Sequence, residues 1–383
     1  METPELIEII SRGEDTRHQF KADFNNQQSL SEEMVAFSNS WGGQILIGVT
    51  NQNTVCGLTK EAVARINLLI SNAASQSIHP PINPQTENIA HPDGLVMVVT
   101  VANGISKPYM DNNGVIWVKV GSGKRKAISR EEIQRMFQSA SIIHADETPV
   151  GGMTAADIDL PYFDAFLRRE YGETIDMAAV PLPQLLENMN LAKNSVPNMA
   201  GTLLFCNRPQ IRLPAFLVRA VCYPATDVAE DSYIDSRDIT GKIGDIFQQT
   251  LGFLVANTRG IQGAQTVNST GESEIPRIAL EELIANALIH RDYFVSAPIR
   301  IFIFSNRIEI ISPGHLPNNL TIENIKSGNS NIRNPILASF ATKILPAYRG
   351  LGSGILRALK AYPNIEFEDN RDGNLFKVTI VRK

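Results

Sequence analysis

Apolar residues at Leu280, Leu283, Ile284, Ala287 and Leu288 recur at helical spacing, which predicts a helix laid with one face against a sheet. The same helix carries Glu282 and Asn286, which their i, i+4 spacing sets a turn apart on one face, turned toward a cleft. Two apolar runs follow, 299–304 and 307–311, and read as a strand pair turned at Ser305 and Asn306. Near the end of the chain Gly350, Gly352 and Gly354 precede an apolar helix containing Ile355, Leu356 and Leu359. Glycines at alternate positions before a helix let backbone N–H groups approach a phosphate chain and set the positive helix end against it.

Toward the N-terminus the pattern predicts helices over 5–11, 31–40 and 60–74 and strands over 44–50, 95–102 and 115–120. A further helix starts at Ser129, where Glu132 completes a capping box. The polar stretch 145–159, with Pro149, Gly151 and Gly152, reads as a linker. Beyond it the reading places helices over 160–171 and 182–189 and strands near 201–205 and 215–223, and a second polar break at 266–274. The chain thus divides into 1–142, a middle α/β unit 156–270 and a last unit 271–383. The fold class is α/β (α+β).

With 383 residues, 43% of them hydrophobic and 20% charged, the composition is that of an ordinary globular protein of several domains. The formal net charge of −5 excludes nucleic-acid binding by the whole surface, so such contact requires a local basic patch. Cys56, Cys206 and Cys222 lack Cys-x-x-Cys spacing and sit in apolar runs, as reduced core residues do. The first residues show neither a basic n-region nor an apolar h-region, and no run approaches about 20 apolar residues, so a cytoplasmic protein with no membrane partner is expected.

The order Glu282 and Asn286, strand pair, Ser312-Pro313-Gly314, Arg333-Asn334-Pro335 and Arg349-Gly350-Leu351-Gly352-Ser353-Gly354 resembles the C-terminal, GHKL-like ATP-binding module of the RecG-related transcriptional regulators, from about residue 275 to the end. The resemblance implies a helix-on-sheet sandwich holding ATP and magnesium. Glu282 would orient the attacking water if hydrolysis occurs, and Asn286 would ligate the metal. Ser312 and Gly314 would face the base, Arg333 and Asn334 would lie in a lid, and Gly350, Gly352 and Gly354 would cradle phosphates. Ser312 stands where these proteins usually carry an aspartate, which speaks against efficient hydrolysis. His290, a turn beyond Asn286, either touches phosphate or caps the helix end.

The first unit resembles the Schlafen-type Alba-like domain through Gly13-Glu14, Phe20-Lys21, the stretch from Ala36 through Gly42-Gly43 to Val49, and Val118 to Gly123. Its nuclease members pair two glutamates with an aspartate. Here Glu14 fills the first place, but Gln19 and Asn51 stand at the others, and an amide is a poor ligand for a hard cation. The cations Arg17, Lys21, Lys119, Lys124, Arg125 and Lys126 form a candidate phosphate-contacting rim. Gly121 to Lys124 is no P-loop, since the upstream glycine is missing and Arg125 replaces the Ser/Thr.

The combined expectation is a regulator of transcription that binds nucleic acid, DNA rather than RNA, through the first unit and ATP with magnesium through the last, as a homo-oligomer. The competing expectations are an ATPase or Schlafen-like nuclease, and a catalytically inactive oligomeric scaffold. A C-terminal winged helix is not expected.

Overall fold

In the first of two units, residues 1–143, alternation along single strands places side chains on both faces of a sheet. A computed structural model of the chain describes residues 1–140, 142–228, 232–261, 272–317, 320–345, 348–350 and 352–382. Ile45, Ile47, Met97 and Val99 point to one side, where α2 (Gln27–Asn39) and α3 (Lys60–Gln76) supply Leu30, Met34, Phe37, Ile66 and Ile70. Leu46, Val96 and Val98 point to the other, where α1 (Thr3–Arg12) contributes Leu6 and Ile10. The sheet order is His18–Lys21, Gly43–Ile47, Gly94–Val101, Gln85–His91, with a parallel first pair and antiparallel neighbours after it. A hairpin of Trp117–Val120 with Gly123–Lys126 precedes α4 (Arg130–Ser139). Ser129 caps α4 by accepting the Glu132 N–H at 3.4 Å, whereas the Glu132 carboxylate turns to Arg125 instead of closing the capping box.

The second unit, residues 144–383, carries a mixed sheet on which six strands lie among the described residues. The order is Asp235–Ile239, Val218–Cys222, Ile299–Ile303, Arg307–Pro313, Leu375–Val381, Ile365–Asn370. Val218–Cys222 runs parallel to Ile299–Ile303 and all other pairings are antiparallel. One face is apolar, with Val218, Ala220, Ile299, Ile301, Ile308, Ile310, Val378 and Ile380 buried in one core. The helices contributing to it include α5 (Leu160–Tyr171), α6 (Leu182–Asn188), α7 (Met199–Phe205), α8 (Ile243–Ala256) and α9 (Arg277–His290). After α10 (Ile322–Lys326) come α11 (Pro335–Ile344) and α12 (Gly354–Ala361), and α9 packs against both α8 and α12. This is an α+β architecture.

Three sequence expectations meet a different fold. The boundary drawn between 156–270 and 271–383 crosses the pairing of Val218–Cys222 with Ile299–Ile303, so strands from both sides share one sheet and one core. Residues 145–159 are anchored in that core, with Ala145, Asp146, Val150 and Ile158 buried. Residues 201–205 are helical, because Asn198 accepts the Gly201 N–H at 2.8 Å and starts α7, all of whose residues are buried. A short apolar run wholly inside a core has no polar face to reveal its period. The expected break at 266–274 lies partly outside the described residues, while Glu274 is buried and ion-paired with Arg382 at 2.7 Å.

Candidate functional site

The second unit has a cleft with a cavity volume of about 120 Å³ between α9, the turn after Arg307–Pro313, the stretch 329–333 and the glycine loop before α12. Glu282, Asn286, Ser312, Gly314, Arg333, Gly350, Gly352 and Gly354 all border it, so residues far apart in the chain come to one place. Leu351 lies outside the described residues. Asn334 does not border the cleft: it is 0% exposed and its amide donates to the main-chain oxygens of Ile289 and Arg291 at 2.8 and 2.9 Å. Its place beside Arg333 suited a lid residue, but the side chain instead ties the end of α9 to the start of α11.

Close approach explains the glycine loop. A β-carbon on Gly354 would stand 2.6 Å from Glu282 Oε2 and 3.0 Å from Asn286 Nδ2, so any side chain there would displace this pair from its contact with α12. Gly352 has φ +70°, and a β-carbon there would stand 2.6 Å from the Gly328 carbonyl oxygen. Gly314 backs onto Asp292 and the Arg333 guanidinium. Ser312 is 6% exposed, and its hydroxyl faces the Ala287 carbonyl at 3.4 Å.

Glu282 is 1% exposed, and its carboxylate meets Arg357 Nη2 at 2.5 Å. Burial raises its pKa, while Arg357 and then Arg349 act in the opposite direction. Asn286 donates to its own helix, at the Glu282 main-chain oxygen, 2.7 Å away. Arg333 donates to the His315 carbonyl at 2.7 Å, and its buried Nε has no hydrogen-bond partner among the described residues. The sequence reading missed Arg349 and Arg357 as wall residues. The available signal was a cation at Arg357 directly after the apolar pair Ile355 and Leu356 in the first turn of α12.

His290 also borders the cleft and lies 3.3 Å from the Tyr348 hydroxyl. Burial, with Arg333 adding to it, lowers its pKa to about 4, so its ring is uncharged at neutral pH. Asp146, at the start of the unit, accepts the Leu337 N–H at 3.0 Å and thereby caps α11. Burial raises its pKa to about 6, against the opposing helix N–H groups and His144.

These two groups act oppositely on stability. Asp146, raised in the folded state, stabilises below about pH 4, and its contribution is lost as pH rises through about 6. His290, lowered in the folded state, stabilises above its unfolded pKa, and its contribution is lost as pH falls toward 4. Asp146→Asn keeps an acceptor for the Leu337 N–H and removes the titration. Denaturant unfolding of variant and parent at pH 4.5 and 6.5 will therefore show the variant gaining on the parent by about 2 kcal/mol across the interval. A pH-independent difference between them would refute the assignment.

In the first unit two of the positions that match the nuclease carboxylates form a hydrogen-bonded chain. Glu14 Oε1 accepts from Gln19 Nε2 at 2.6 Å and from the Phe20 N–H at 2.7 Å, and Gln19 Oε1 accepts from Lys119 Nζ at 2.6 Å. An ammonium group thus stands within this chain of side chains, and Asn51 lies in an exposed turn. Among the described residues no group of three or more His, Cys, Asp or Glu is placed to hold a metal.

Half of the basic rim is neutralised from within. Lys124 pairs with Glu32 and Glu33 at 3.1 and 3.2 Å, Lys119 lies 3.9 Å from Glu33, and Arg125 makes a two-pronged pair with Glu132. Arg17, Lys21 and Lys126 have no ion-pair partner among the described residues, although Lys126 stands over the Trp117 ring at 5.4 Å.

Residues 14–128 match the family model "Schlafen, AlbA_2", and residues 296–380 match "Putative ATP-dependent DNA helicase recG C-terminal". Both resemblances read from the sequence therefore stand, although the second match begins after α9 and leaves Glu282 and Asn286 outside it. A solved protein of Corynebacterium diphtheriae is 20% identical, over 99% of this chain and 80% of its own, with a TM-score of 0.46. The N-terminal domain of a Putative ATP-dependent DNA Helicase RecG-related Protein from Nitrosomonas europaea is 17% identical, over 34% of this chain and 95% of its own, with a TM-score of 0.25. No curated protein matches the chain. Among the described residues no helix is long and apolar enough to cross a membrane.

Proposed function

We propose that this protein is a regulator of transcription that binds DNA through its first unit and ATP in the cleft of its second. The observation that carries the nucleotide reading is the convergence of α9, the Ser312 to Gly314 turn, Arg333 and the glycine loop on one cavity. A cavity with apolar walls for a base, bare backbone and arginines for phosphates has the composition a nucleotide requires. The two domain-family matches support a nucleic-acid-related protein of ATPase type. The same reading makes it a cytoplasmic homo-oligomer.

Binding rather than hydrolysis is the activity proposed. A base that orients water needs an accessible lone pair within hydrogen-bond reach of it, and Glu282 is buried against Arg357. Magnesium, which the resemblance places at Asn286, fits these side chains poorly. With Glu282 held by a guanidinium, one neutral amide oxygen is left, where this ion takes one or two carboxylates besides the phosphates.

ATP at about 100 times its Kd will add about 2.7 kcal/mol to the stability of the second unit. For a unit of this size that is a rise of roughly 5 to 10 °C in Tm. Absence of any rise at millimolar ATP would remove the nucleotide reading.

For the first unit the cations without carboxylate partners set the expectation. With two or three phosphate contacts, log affinity of the full chain for duplex DNA will fall with log salt at a slope of about −2 to −3. Replacing Arg17, Lys21 and Lys126 together by glutamine will flatten that slope, whereas Arg125→Gln alone will change it little, because Glu132 already holds that charge. A triple variant with the parent slope would show that the contacts lie elsewhere.

A further inference from the structure

We propose that the cleft binds the polyphosphate of its nucleotide through arginine and without a divalent cation, with Arg357 held against Glu282, one turn from the Asn286 at which the resemblance expects a metal. This rests on the nucleotide reading of the cleft. Arg357 lies in the first turns of α12 and borders the cavity, and its inner side is braced by the Glu282 carboxylate at 2.5 Å. Glu282 is 1% exposed and the Arg357 side chain 24%, so the carboxylate is closed off while the arginine is partly exposed. Solvent and ligand therefore meet a cation where Glu282 would otherwise offer a carboxylate.

The rest of the wall agrees. Among the described residues bordering the cleft, Arg333, Arg349 and Arg357 are the arginines and Glu282 is the carboxylate, an excess of positive charge before any ion is added. Arg349 is exposed, stands close enough to Glu282 to act on its pKa, and precedes the glycine loop. Arg333 brings a buried Nε without a partner among the described residues. Fixed guanidinium groups match phosphate oxygens with two-pronged geometry, and they repel a second cation placed among them. Free ATP, more negative than its magnesium complex, is the ligand whose charge such a wall complements. Glu282 then serves as a positioning residue that holds Arg357 in its rotamer.

The test is calorimetric titration of the full chain with ATP in EDTA and in excess magnesium. The expected result is a Kd in EDTA equal to or tighter than that in excess magnesium, where most of the ATP is the magnesium complex. Arg357→Ala is expected to weaken binding at least tenfold in EDTA. Because that change leaves Glu282 buried and alone, the exposed Arg349→Ala serves as a second variant whose fold is not at risk, with an expected loss of threefold or more. Binding that weakens tenfold or more in EDTA, or that neither arginine variant alters, overturns the proposal while leaving the nucleotide reading intact. Failure of the parent chain to bind ATP in either buffer overturns both.

Discussion

Gly352→Val will abolish the ATP-dependent rise in melting temperature and destabilise the second unit by about 2 kcal/mol or more. Two costs combine. The residue has φ +70°, a conformation that a β-branched side chain adopts only with strain of roughly 1–2 kcal/mol. Its β-carbon would also stand 2.6 Å from the Gly328 carbonyl oxygen, a main-chain atom that cannot rotate away. The loop must move off the stretch around Gly328 and Ser330, and the cleft loses one wall. Melting curves of parent and variant with and without millimolar ATP read both effects. A variant that melts like the parent and retains the ATP shift would show that this loop does not form the phosphate wall.

Asn334→Ala will lower the stability of the second unit by about 2–4 kcal/mol without touching the ligand contacts. The amide is fully buried and satisfies two main-chain oxygens, those of Ile289 and Arg291, where α9 ends and the chain turns. Truncation leaves two buried acceptors unpaired, and each such group costs about 1–3 kcal/mol. Denaturant unfolding reads the loss, and an ATP titration under conditions where the variant is fully folded separates it from binding. A Kd within threefold of the parent is expected. A tenfold weaker Kd in a fully folded variant with parent-like stability would return Asn334 to the ligand site.

Several parts of this molecule were legible in the chain alone. The helices Leu160–Tyr171 and Arg277–His290, the strand pair from residue 299 and the Ser129 cap all follow from local rules: apolar period, turn chemistry and a capping hydroxyl. The i, i+4 spacing of Glu282 and Asn286 was enough to place both on the cleft side of α9, and the alternate glycines were enough to mark a close backbone approach. Such features depend on residues within a few positions of one another, and their geometry hardly changes with the rest of the fold.

Tertiary structure alone decided which charges meet. Nothing near Glu282 in sequence announces Arg357, yet their pairing turns a candidate general base into a brace for a cation. Lys119, Lys124 and Arg125 read as a basic rim until α2 and α4 bring Glu32, Glu33 and Glu132 against them. The same holds for residues 201–205, where burial on every side hid the helical period, and for the shared sheet that joins residues 218–222 to 299–303. The physical reason is common to all of these. Hydrophobic period and backbone conformation are short-range properties written in consecutive residues, whereas the partner of a buried charge and the neighbour of a strand are set by which elements the chain brings side by side.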